Sequence, residues 1–89
     1  MFRIDRASNG RVVLSLSGAI REGDVAVLEQ VLTAEQNGKP LVLDLKHVTS
    51  VDRPAVRLLG RYRQAGTALE NCPAYIRDWV KREFEAGEA

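Results

Sequence analysis

Leu41-Val42-Leu43-Asp44-Leu45, running on through Lys46-His47-Val48-Thr49-Ser50-Val51 to Asp52-Arg53-Pro54, decides the fold. The first five residues are a nearly continuous apolar run, the pattern of a central parallel strand covered on both faces. The six that follow are mostly polar and read as a loop. Asp52-Arg53-Pro54 reads as a helix start, because an aspartate caps free amides and proline in the first turn removes an N–H that has no intrahelical acceptor. Strand, loop and capped helix in that order form the repeating unit of an α/β sheet.

C-terminal to this unit, Ala55, Leu58, Leu59 and Tyr62 share one face at about 100° per residue, and the helix is expected to end near Gly66. Thr67-Ala68-Leu69-Glu70 reads as a short strand at or near a sheet edge. Asn71 or Cys72 is a candidate cap for a third helix that begins at Pro73 and buries Ile76, Val80 and Phe84, with Tyr75 and Trp79 beside them. N-terminal to the unit, Phe2 and Ile4 alternate with charged residues, and Val12-Val13-Leu14-Ser15-Leu16-Ser17 alternates again. Asn9-Gly10 between them suits a type I′ turn, so the two runs are expected to pair as an antiparallel hairpin whose second strand ends at Gly18. From Asp24, taken as the cap, Val25, Leu28, Val31 and Leu32 recur at helical spacing in a helix of about 13 residues that Gly38 and Pro40 stop. The order is β-β-α-β-α-β-α, an α/β domain with a four-stranded mixed sheet and helices packed against it. Residues 1–85 form the single domain, and 86–89 are expected to be a frayed acidic tail.

Eighty-nine residues leave room for one small core, which disfavours a second domain and large-substrate enzymology. Thirteen Lys and Arg against twelve Asp and Glu give a net charge of +1, which argues against nucleic acid as a partner. No segment approaches the length of a bilayer-spanning apolar helix, so membrane insertion is not expected, and the single cysteine, Cys72, fits a reducing cytoplasm.

Signatures of catalysis and cofactor binding are absent: no glycine-rich phosphate loop occurs, and neither a metal set nor a nucleophile with its base can be assembled. No cofactor and no enzymatic role are therefore expected. His47 reads as a solvated loop residue, and Cys72 as a small apolar side chain rather than a reactive thiol. Asp44, alone in its apolar strand, is expected to accept hydrogen bonds from nearby backbone amides. The second helix is the informative element. Arg53, Arg57, Arg61 and Gln64 lie within about 80° of one another, opposite the apolar face. Such a ridge is either the wet side of an amphipathic helix or a docking surface. No acidic residue of its own helix offsets it, and Arg53 sits at the positive end of the helix dipole, which suits an acidic group on a partner.

Taken together, these segments resemble the STAS domains, the domains of sulfate transporters and anti-sigma factor antagonists. Val13-Leu14-Ser15-Leu16-Ser17-Gly18 is similar to the family's second strand and its L-x-G ending. Leu41 to Asp52 matches the pattern LVLDL-x-x-V-x-x-(I/V)-D, Leu58-Leu59-Gly60-Arg61-Tyr62 continues the following helix, and Asn71-Cys72-Pro73 resembles a junction of some antagonist-like members. The resemblance implies a regulatory module that docks a protein partner around Asp52, Arg53, Pro54, Arg57 and Arg61. In the antagonists a serine just after the aspartate is phosphorylated by the partner kinase, which adds about −1.5 to −2 charges and releases it. Arg53-Pro54-Ala55 occupies those positions here, so no phosphorylation is expected at Arg53 or Pro54. Thr49 and Ser50 lie upstream of the aspartate as alternative acceptors. The expected partner is an anti-sigma factor or kinase-like protein with an acidic surface. The alternatives are the cytoplasmic ATPase of a membrane transport system, a small anion or lipid bound at the helix start, and a second copy of the chain as a homodimer.

Overall fold

A computed structural model describes residues 2–35 and 40–87, with side chains described as far as Glu83. The elements run β1 (Arg3–Ser8), β2 (Val12–Ile20), α1 (Glu22–Ala34), β3 (Leu41–Val51), α2 (Arg53–Gln64), β4 (Ala68–Glu70) and α3 (Ala74–Gly87). They build a four-stranded sheet in the order β1-β2-β3-β4. β1 is antiparallel to β2, and β2, β3 and β4 are mutually parallel. The expected order and mixed sheet are thus observed, with β4 at an edge.

Both parallel connections step the same way across the sheet, so right-handed crossovers place α1 and α2 on one face. The core follows from that. Val12, Leu14, Leu16 and Ile20 of β2 meet Leu43, Leu45 and Val48 of β3, beneath Leu28 and Leu32 of α1, Ala55, Val56, Leu58 and Leu59 of α2, and Ile76 and Val80 of α3. On the opposite face Val13, Ser15 and Asp44 are only half-buried. The reading of β3 as covered by helices on both faces is therefore corrected: Val42 is buried on the second face but stands outside the main core cluster.

Four local expectations also change. Lys46–Val51 is strand rather than loop. The β2–β3 register shifts between Ser15 and Ser17 and again between Gly18 and Ala19, so β3 carries an extra residue at each step. Its inward positions become Leu43, Leu45, Val48 and Val51, a bulged spacing that breaks simple alternation. For the same reason β2 does not end at Gly18. Its φ of 83° makes the second irregularity, and Ala19 and Ile20 pair beyond it with Ser50 and Val51. The hairpin has three loop residues instead of a two-residue type I′ turn: Ser8 pairs with Val12, and only Gly10 takes positive φ. Finally, α1 starts at Glu22 with Arg21 as its N-cap, and Asp24 sits one turn in, where its Oδ2 accepts from the Arg21 N–H at 3.1 Å.

The third helix begins at Ala74, and the Pro73 carbonyl accepts from the amides of Ile76 and Arg77 at 3.0 Å, which replaces Asn71 or Cys72 as the cap. Asn71 instead takes a positive φ of 54° before the helix. α3 runs to Gly87. Gly38, the expected stop of α1, and residues 88–89 lie outside the described residues, as does the Phe84 side chain.

Candidate docking face

Asp52 stands where four elements meet. It caps α2, its Oδ1 accepting from the Ala55 amide at 3.2 Å, while its Oδ2 accepts from the Glu22 amide at 2.7 Å. Its own N–H donates to the Ile20 carbonyl at 3.3 Å. One carboxylate thus satisfies orphan amides at the starts of both α1 and α2 and fixes them to the ends of β2 and β3. Both carboxylate oxygens of Asp52 are engaged within the fold.

Arg53 and Pro54 fill the first two positions of α2, as expected from the missing N–H of proline. The ridge forms as read: Arg53, Arg57, Arg61 and Gln64 are all exposed, while Ala55, Leu58 and Leu59 are buried and Tyr62 packs against the core edge. Its counter-ions come from other helices. Arg53 and Arg57 both reach Glu83 of α3, at 3.3 and 3.5 Å, and Arg61 reaches Glu29 of α1 at 3.0 Å. Burial opposes ionisation of Glu83, but the hydrogen bonds and charges of Arg53 and Arg57 outweigh it and hold its carboxyl below the usual glutamate range. Two guanidiniums share this one carboxylate, and the Arg53 and Arg57 side chains stay 64% and 63% exposed.

Glu83 and Glu29 had no signal in the sequence. They sit 26 to 32 residues from their partners and become neighbours only once the three helices share a face. Beside the ridge, the Tyr75 hydroxyl donates to the Thr49 carbonyl at 2.7 Å and ties α3 to the end of β3, leaving Thr49 and Ser50 exposed. Asp44 lies away from the ridge. Its Oδ1 accepts from the Lys46 amide at 3.0 Å and from the Asn71 side-chain amide at 3.2 Å, in line with a structural role. His47 is exposed on β3, and Cys72 is half-buried between β4 and α3. Among the described residues, no helix is long and apolar enough to cross a membrane.

A family model described as Mlab, STAS domain, matches residues 4–81. The solved structure of Mglu superposes with a TM-score of 0.61 at 29% identity over 76% of this chain, which spans 19% of that longer protein. The unphosphorylated anti-sigma factor antagonist SpoIIAA superposes with a TM-score of 0.63 at 20% identity, covering 92% of this chain and 83% of that one. A protein of SpoIIAA-like fold from Shewanella loihica PV-4 gives 0.57 at 11% identity, covering 93% and 78%. The last two show the shared fold. No curated protein matches the chain.

Proposed function

Because the chain belongs to the STAS family, we propose that it is a regulatory module of the cytoplasm that docks an acidic protein surface through Arg53, Pro54, Arg57 and Arg61, held in place by Asp52. The observation that carries this reading is the shared carboxylate: among the described residues Glu83 alone answers two arginines, whose guanidiniums stay exposed at the helix start. An acidic side chain of a partner completes that set through charge-assisted hydrogen bonds. The partner is an anti-sigma factor or a protein resembling its kinase.

The module is not switched by phosphorylation at the helix start. Residues 53–55 offer no hydroxyl, and Arg53 brings the opposite charge to a phosphate. A face without a release switch equally suits lasting assembly, which favours as second reading a subunit that holds the cytoplasmic ATPase of a transport system.

Affinity capture with mass spectrometry tests the proposal. The wild-type protein is expected to recover one dominant partner, and Arg53→Glu with Arg57→Glu to lose it while circular dichroism stays native. Recovery by the double variant would sink the proposal. Incubation with ATP and the captured partner is expected to leave the mass unchanged, and a phosphate on Thr49 or Ser50 would overturn the switch-free reading. The partner's identity separates the two readings.

A further inference from the structure

A second group of arginines lies away from the ridge. Arg63 in the last turn of α2 and Arg77 in the first turns of α3 flank a cleft of about 130 Å³, whose remaining walls are Leu69, Cys72 and Val80. Arg63 has no acidic partner among the described residues, and Arg77 has only Asp78 at 3.9 Å, an exposed neighbour in sequence. Glu70, the nearest acid along β4, is engaged by Arg11 at 3.3 Å. Among the described residues the cleft therefore combines one guanidinium without an acidic partner, a second with only Asp78, and an apolar wall.

From this geometry we propose that the cleft between α2, β4 and α3 binds a small organic carboxylate, its headgroup held by Arg63 and Arg77 and its short apolar tail laid on Leu69 and Val80. Guanidinium pairs match carboxylate oxygens in charge and geometry. The volume sets the size: an apolar cavity of about 150 Å³ holds benzene, so this cleft takes about six non-hydrogen atoms. Cys72 reports on the same spot. Burial pushes its thiol above the usual range, while the charges of Arg77 and Arg63 pull it down, so both guanidiniums bear on the sulfur. The thiol serves as a wall and takes no part in chemistry.

Butyrate is the probe, with butyramide as its neutral counterpart, at constant ionic strength. In amide NMR titrations of the intact protein, butyrate is expected to give saturable shifts centred on Leu69 to Arg77, and butyramide none. Arg63→Gln and Arg77→Gln are each expected to weaken binding by about tenfold or more, the effect of losing one charged hydrogen-bond partner. Arg3→Gln, remote on β1, is expected to leave it unchanged. In the wild type, butyrate is also expected to slow alkylation of Cys72 by a neutral reagent, a readout independent of any variant. Absence of saturable shifts, equal shifts with butyramide, equal weakening by Arg3→Gln, or alkylation indifferent to butyrate would overturn the proposal.

Discussion

Asp52 carries more of the structure than its place in a motif suggests. Replacing it with alanine removes the α2 cap and strands the Glu22 amide, so Asp52→Ala is expected to lower stability by about 1–3 kcal/mol, read from the urea midpoint. Glu83 behaves differently, because its contribution depends on pH. Its carboxyl is held low in the folded state, so the unfolded chain takes up its proton first as pH falls. The stability it supplies is present above its ordinary value of about 4.3 and is lost as pH drops through the lower folded value. Wild type is expected to exceed Glu83→Gln in stability near neutrality, and the gap to close in acid. A gap that persists at the acid end would mean that the ion pairs are not its source. At this scale the sequence was legible for Asp52, Arg53 and Pro54, whose roles are local. It was silent on Glu83 and Glu29, because no period or cap links them to the arginines they meet.

Helices and strands differ in how plainly their sequences announce them. α2 was legible because its apolar stripe and its proline obey local rules that tertiary contacts reinforce. The second half of β3 was not, because its inward residues Leu43, Leu45, Val48 and Val51 are spaced by two, three and three. A strand that bulges twice loses the period by which strands are read, and Lys46-His47 and Thr49-Ser50 then resemble a polar loop. Two glycines test this account in opposite directions. Gly18 holds the β2 irregularity at a φ of 83°, so Gly18→Ala is expected to cost about 1–3 kcal/mol. Gly23 lies in α1 with nothing within 4 Å of an added Cβ, and Gly23→Ala is expected to stabilise by about 0.5–1 kcal/mol. Thermal or urea melts of the pair read both signs.

At the scale of the whole molecule, a one-sided arrangement links stability to the proposed docking face. The helices share one face of the sheet, and their packing brings acids of α1 and α3 to the arginines of α2. A net charge of +1 over the chain does not show where the charges gather. What matters is that one carboxylate is divided between two guanidiniums at an exposed helix start. The same packing makes the core thin: Leu43→Ala, at a fully buried site, is expected to cost about 2–5 kcal/mol of a total of roughly 4–13 kcal/mol. The central claim, that the α2 ridge is the docking face, is tested most directly by amide hydrogen exchange of the intact protein with and without its captured partner. The account predicts protection concentrated on residues 53–61 and on α3 around Glu83. Protection confined to the open face of the sheet, with α2 exchanging as in the free protein, would contradict it.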